Sequence, residues 1–440
     1  MGRIKHPERT FQTEPFKISQ PLGAAMAFLG VRRGAPLMLG ARGCAAVGMA
    51  LLVRHYGRPV PIETLALDEA SLALGDRGEL EAALLALHER SAPELAGLLG
   101  AGLGEAKGDD VEGLLRKIWR GNRRSHPALA AMEAVFTPCP DFSGAYQDGW
   151  STAACGIAAR FVQPAGRKCA RQVNVLAGAH LTPGDVEEVR EALDAFGLDA
   201  VVLPDISGGF GNAARSRTGD GGVCGVPLAD IRRMGASVLT IAIGEHMRPT
   251  AECIEKRAGV PFRVFDRLVG LGPCDDFMAL LADVSGAEAP NRLKRQRSRL
   301  VDAMLTAYPA FCGARAAVAG DPDHLLGLCS WLSEMGAAIG VAVSTTDNPV
   351  LWRVPALKVI VGDLGDFERG AEGADLLVAP SGARHASRRL GAPLLRAGMP
   401  ISDRVGAAHK VSVGYRGTLD LIFEAANLLL ERRGDPNAPE

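Results

Sequence analysis

"RQVNVLAGAHLTPGDVEEVREALDAFGLDAVVLPD", residues 171–205, holds a strand, a helix and a second strand in unbroken succession, and its reading decides the fold. The opening "RQVNVLAG" (171–178) is a short run of apolar strand formers. In "LTPGDVEEVREALDAFG", Thr182 stands at the N-cap and Pro183 at the first helical position. Asp185 falls in the first turn, where the helix dipole favours an anion, and Gly197 ends the helix. "DAVVLPD" (199–205) is the next buried strand. Two buried strands joined through a helix form a parallel pair with a crossover connection.

The alternation extends outward from there. Downstream, "SVLTIAIGE" (237–245) and "VPFRVF" (260–265) read as strands. The long helix "NRLKRQRSRLVDAMLTAY" (291–308) introduces a third unit with strands at 314–320, 337–344, 357–363, 374–380 and 392–398. "TLDLIFEAANLLLERR" (418–433) closes it as a helix, and the basic residues of 292–299 read as a solvated face. Upstream, "APLMLG" (35–40) is a buried strand and "AAVGMALLVRHY" (45–56) a helix apolar on nearly every side. Helices are predicted at 79–90 and 109–120, and a basic surface loop at 120–127. "TPCPDFSGAYQDGW" (137–150), rich in turn formers and aromatics, reads as a loop that lines something. The expected fold is α/β, with three Rossmann-like, doubly wound parallel-sheet domains over 1–168, 169–290 and 291–440.

A chain of 440 residues exceeds one ordinary core, and 47% hydrophobic with 22% charged residues is a globular composition. The formal net charge of -1 speaks against bulk binding to nucleic acid or an anionic membrane. "MGRIKHPERTFQTEPFKISQ" lacks the apolar core of a signal peptide, and no run is long enough for a membrane span. A cytoplasmic location is the expectation.

No GxxxxGKS/T, HExxH or GxSxG is present, which leaves phosphate-loop, zincin and nucleophile-elbow chemistry without a signature. "GGFGNAA" (208–214) contains GxGxxA, yet "RSRTGDGG" follows where a crossover helix should run, so a polar loop is expected. The nine histidines show no ligand spacing, and His55 reads as a structural residue with its hydrogen bonds met.

Nine cysteines, an odd number without a CxxC pair, argue against a disulfide framework and against a self-contained zinc or ferredoxin-type site. Most are expected to fill apolar interiors. Cys44 differs. In "MLGARGCAAVGMALLVRHYG" (38–57) it sits between a glycine-rich turn and the start of a helix, beyond the end of a strand. Unpaired amides and the dipole stabilise a thiolate there, and Gly40 and Gly43 allow a bulky ligand to approach. An iron–sulfur cluster takes four thiolates, so a Cys44 that ligates one needs partners from distant positions or a second polypeptide. A buried cysteine in an ordinary strand-to-helix turn is the alternative.

The stretch 18–69, "ISQPLGAAMAFLGVRRGAPLMLGARGCAAVGMALLVRHYGRPVPIETLALDE", resembles the N-terminal region of nitrogenase component 1-like subunits. "GDDVEGLL", "PDFSGAYQDGW", "RQVNVLAGAHLTPGDVEEV", "DRLVGL", "RLKRQRSRLVDAML", "GDLGDFE" and "RLGAPLLRAGMPISDRVG…GYRG" extend the likeness over nearly the whole chain. It is strongest to the NifN-type scaffold subunits of this family. The stretches "IGEHMRPTAECIEKRAG" and "APSGARHASRRLG" depart from the family pattern, and Cys139 is an addition in the aromatic segment.

The resemblance implies three Rossmann-like domains and a β-like subunit of the scaffold that assembles the nitrogenase iron–molybdenum cofactor. Catalytic β subunits of the family bring three cysteines and a nearby serine to an eight-iron cluster. Here Ser19 and Gly102 stand at two of those cysteine positions and Ala145 at the serine, which leaves Cys44 alone. The resemblance therefore implies that Cys44 is the metal ligand, completing a 4Fe-4S cluster with three cysteines of a NifE-type partner subunit in an α2β2 heterotetramer. It also implies a transient cofactor precursor held mainly by that partner, docking of the nitrogenase iron protein, and no catalysis by this chain alone. The rival reading is a catalytic subunit of a nitrogenase or of a light-independent protochlorophyllide reductase.

Overall fold

The structure, a computed structural model, describes residues 3–7, 16–40, 44–66, 77–101, 113, 115, 118, 129, 132–140, 143–208 and 225–434. Strand β1 is Arg3–Lys5. A first group holds β2 (Gly34–Gly40), β3 (Glu63–Ala66), β4 (Leu95–Ala101) and β5 (Glu133–Cys139). A second holds β6 (Gln172–Leu176), β7 (Asp199–Leu203), β8 (Leu239–Ile243) and β9 (Phe262–Phe265). The last holds β10 (Arg315–Gly320), β11 (Ala338–Ser344), β12 (Lys358–Val361), β13 (Leu376–Ala379) and β14 (Leu394–Arg396).

Among the described residues these strands form three parallel sheets, ordered β3-β2-β4-β5, β7-β6-β8-β9 and β1-β12-β11-β10-β13-β14. The α/β fold with three doubly wound parallel sheets is as the sequence predicts. The reason is visible in the central strands, buried on both faces: every residue of β6 is buried, as are Leu37 to Leu39 of β2. Such continuous apolar runs need helices on both sides of the sheet. The first residues of the chain complete the last sheet, with Ile4 opposite Val359.

The unit 171–205 forms as read. Thr182 caps the helix Pro183–Ala195 by accepting from the Asp185 amide at 3.0 Å, and Asp185 returns a bond to the Thr182 amide at 2.9 Å. This reciprocal pair satisfies two donors that a helix start leaves unpaired. Asp185 does more than the dipole argument required. Buried, it also accepts from the amides of Ser412 at 2.6 Å and Val413 at 3.2 Å, and so holds a distant segment to the second sheet.

Two helices bind the first sheet to the second. Gln20–Leu29 crosses Tyr146–Phe161 so closely that a Cβ on Gly149 would lie 1.9 Å from the Gln20 carbonyl oxygen. A Cβ on Gly23 would lie equally close to that of Tyr146. Only glycine permits this approach. Trp150, fully buried, donates its indole N–H to the Ala177 carbonyl at 2.9 Å, which ties the helix Tyr146–Phe161 to the segment after β6.

Two readings need correction. Residues 137–150 are not one loop: β5 runs to Cys139, and the helix Tyr146–Phe161 has already begun by Tyr146, so its first five residues fall within that stretch. Proline, glycine and serine in the middle mark only the connection between them. The expectation of core-filling cysteines holds for Cys139, Cys274 and Cys329, which are buried. Cys169 and Cys312 are exposed, and Cys155 and Cys253 are half-buried, because they fall in loops and on outer helix faces that the apolar pattern does not mark. The basic residues of the helix Asn291–Phe311 are solvated, as read, with Arg297 paired to Asp275 at 2.8 Å and Arg292 to Glu191 at 2.6 Å. The predicted features at 120–127 and 209–214, with Gly102 and Cys224, lie outside the described residues, as does most of 109–120.

Candidate functional site

In an open parallel sheet, ligands gather where the strand order reverses, beyond the carboxyl ends of the strands. The reversal lies between β2 and β4 in the first sheet, between β6 and β8 in the second and between β10 and β13 in the third.

Cys44 is the first residue of the helix Cys44–Tyr56, which follows β2. The backbone therefore puts Cys44 at a helix N-terminus beside the first reversal point. Residues 41–43 and the Cys44 side chain lie outside the described set. Leu22 of the helix Gln20–Leu29 packs on Gly48, one turn further on, where a Cβ would come within 2.3 Å of its Cδ1. Of the aromatic segment, Tyr146 meets Tyr56, the last residue of the cysteine's helix, and the two hydroxyls hydrogen-bond. At 1.5 Å per residue that contact lies about 18 Å along the helix from Cys44. Ser19 N-caps the helix Gln20–Leu29 without a side-chain bond, and Ala145 is buried at the start of Tyr146–Phe161.

The other two reversal points meet. His180 follows β6, His246 follows β8, and Asp321, Asp323 and His324 follow β10. The His180 ring lies 5.8 Å from that of His246 and 6.0 Å from that of His324, centroid to centroid. Gly244, at φ 99°, makes the turn after β8, and a Cβ there would collide with both His246 and His180. His55 closes the group from the first unit, its Nδ1 accepting the Ile401 amide at 3.0 Å.

His55, His180, Asp321, Asp323 and His324 line a cavity of about 90 Å³, enough for several waters. Burial pushes the imidazoles down, His180 to about 3 and His324 and His55 to about 4, so all three are neutral at pH 7. Burial pushes Asp321 up to about 6, against a 2.6 Å bond from the Thr345 hydroxyl that favours the carboxylate. His180 Nδ1 and Asp323 Oδ1 are buried with no hydrogen-bond partner. The cluster can hold polar molecules by hydrogen bonds. It is not arranged as a metal site: among the described residues no three His, Cys, Asp or Glu side chains converge on a possible ion. Sequence reading missed this group because its members come from three separate strand ends. The shared signal was one of position, each lying just past an apolar strand.

Residues 19–430 match the family described as "Nitrogenase component 1 type Oxidoreductase", and the chain belongs to that family. Among proteins it resembles is the "Nitrogenase iron-molybdenum cofactor biosynthesis protein NifN" of Bradyrhizobium diazoefficiens, 41% identical across 100% of this chain and 94% of the relative. Proteins of the same name in Nostoc and in Klebsiella pneumoniae are 39% and 34% identical, each covering 98% of this chain. A chain in a solved structure of nitrogenase Cp1 at pH 6.5 superimposes with a TM-score of 0.90 at 25% identity, covering 98% of this chain and 96% of that one. No described helix is long and apolar enough to cross a membrane.

Proposed function

We propose that this chain is the β-like subunit of a scaffold on which the nitrogenase iron–molybdenum cofactor is assembled. Its partners in this reading are a NifE-type subunit, within an α2β2 heterotetramer, and the nitrogenase iron protein. The observation that carries it is the full-length likeness to relatives that are themselves named as cofactor biosynthesis proteins. The relatives that support it are 34–41% identical, whereas the nitrogenase Cp1 chain is 25% identical.

Cys44 supplies one thiolate to a 4Fe-4S cluster in this reading, and the partner supplies three. The donor set of this chain suits a single contribution. The backbone sets Cys44 at a helix start, where free amides favour the thiolate. The same helix leaves Leu51 and Val53 each 37% exposed, an apolar face suited to cover by a second subunit. When bound, the cluster would supply one-electron chemistry at the interface. This chain's residues hold and orient; the precursor rests mainly on the partner, and no catalysis is assigned to this chain alone.

Anaerobic co-expression with a NifE-type subunit, followed by iron quantification and electron paramagnetic resonance, tests the proposal. Iron and a cluster signal are expected in the complex and little of either in the single chain. A stoichiometric four-iron cluster in the chain purified alone would overturn it.

A further inference from the structure

Cys155 and Cys253 sit apart from the proposed cluster ligand and are the half-buried cysteines of the described set. Cys155 belongs to the helix Tyr146–Phe161 and Cys253 to the helix Arg248–Ala258, and the two helices pack against each other. The Cys155 sulfur lies 3.9 Å from the Pro249 carbonyl oxygen. In an α-helix that oxygen accepts the amide four residues on, which is that of Cys253. The contact sets the Cys155 sulfur against the turn that carries Cys253, close enough for the two thiols to influence each other. Two facing thiols on packed helices, both reachable from solvent, form a dithiol rather than a pair of core fillers.

We propose that Cys155 and Cys253 are a redox-modification site, a dithiol that a peroxide oxidises to a disulfide joining the two helices. The Cys253 thiolate attacks a peroxide oxygen, the O–O bond breaks, and the departing hydroxide takes up a proton as water. This leaves a sulfenic acid on Cys253. The Cys155 sulfur then attacks the Cys253 sulfur, the S–O bond breaks, and the hydroxyl leaves with the Cys155 proton as a second water. In sum, two thiols and one hydrogen peroxide give one disulfide and two waters. Burial, with Cys253 alongside, pushes the Cys155 thiol up to about 11, which casts it as the resolving partner rather than the first nucleophile.

The link would reach the buried histidine group. Ser151, one turn before Cys155, donates its hydroxyl to the His246 carbonyl, so a disulfide one turn on clamps a contact between the first and second units.

The test is a peptide map of the full-length chain, prepared anaerobically, exposed to a few equivalents of hydrogen peroxide, alkylated and digested without reduction. The expected result is one peptide pair joined through Cys155 and Cys253, two hydrogens lighter than its parts and separated by dithiothreitol. Cys155→Ser and Cys253→Ser should each abolish that pair. The proposal is overturned if the map recovers both cysteines singly, alkylated or over-oxidised, while the exposed Cys169 and Cys312 are consumed. It is equally overturned if the same cross-linked mass persists in either serine variant. The wild-type map decides the matter even if a variant folds poorly.

Discussion

His246 holds Asp323 twice across the junction of the second and third sheets. Its backbone N–H donates to Asp323 Oδ2 at 2.8 Å, and its ring Nδ1 pairs with the same oxygen. The ring's other nitrogen, Nε2, accepts the Ala179 amide at 2.9 Å, which leaves the proton on Nδ1 for the carboxylate. Burial pushes Asp323 up, and its interactions with His246 more than offset this, holding the carboxyl below its usual range.

His246→Ala strands that carboxylate in the interior with one backbone donor. The expected loss is about 2–3 kcal/mol, the cost of leaving a buried charged acceptor short of a donor. His246→Ala combined with Asp323→Asn should recover part of it, because the stranded charge is gone. Denaturant midpoints of the two single variants and the double variant check this. Equal losses in His246→Ala and in the double variant would remove the pair from the account.

His324 gives a pH prediction with a definite sign. Its folded value of about 4 lies below the unfolded value of about 6.5, so only the unfolded chain takes up the proton between them. Stability is therefore lost as pH falls from about 6.5 to about 4, by about 1.4 kcal/mol per unit. His324→Gln abolishes this contribution, so the variant should gain on the wild type over that window. Asp321 should show the reverse. Its carboxyl is raised to about 6 by burial, so the folded chain binds the proton first, and acidification from about 6 to about 4 favours the wild type over Asp321→Asn. Thermal midpoints at pH 7, 5.5 and 4.5 separate the two slopes.

Gly149→Ala tests the helix crossing. The added carbon would lie 1.9 Å from the Gln20 carbonyl oxygen, a backbone atom that cannot rotate away. A loss of about 1–3 kcal/mol is expected, with Tyr146–Phe161 pushed from Gln20–Leu29. Gly166→Ala, where a Cβ meets nothing within 4 Å, is the control and should stay within about 0.5 kcal/mol of the wild type. Urea unfolding distinguishes them.

Cys44→Ala should remove the cluster signal from the anaerobic complex while leaving the circular dichroism of the chain unchanged. Cys44→Ser, with a harder oxygen donor, should retain iron weakly and shift the spectrum. Unchanged iron content and spectrum in Cys44→Ala would defeat the ligand assignment.

The alternation of apolar strands and capped helices was legible because each signal is local. Val173, Val175 and Leu176 read as a buried strand from their neighbours alone, and Thr182 with Asp185 reads as a helix start from a three-residue spacing. Cys44 was legible for the same reason, as the residue between a strand end and a helix start. β4 and the helix Tyr146–Phe161 were harder. "LAGLLGA" has glycines where strand formers are expected, and "YQDGWSTAACGIAARF" mixes aromatics and small residues whose value lies in how closely another helix can approach.

The sequence by itself determined the fold class, the parallel sheets and the place of Cys44 at the end of a strand, since hydrophobic period and capping act over a few residues. Only the tertiary structure decided that β1 joins the last sheet, more than 350 residues away in the chain, and that Asp185 anchors Ser412. It alone brought His180, His246 and Asp323 together and set Cys155 against Cys253. These contacts join segments whose separation leaves no periodic trace, and they exist because three sheets, each buried on both faces, must share a common core to exclude water from their edges.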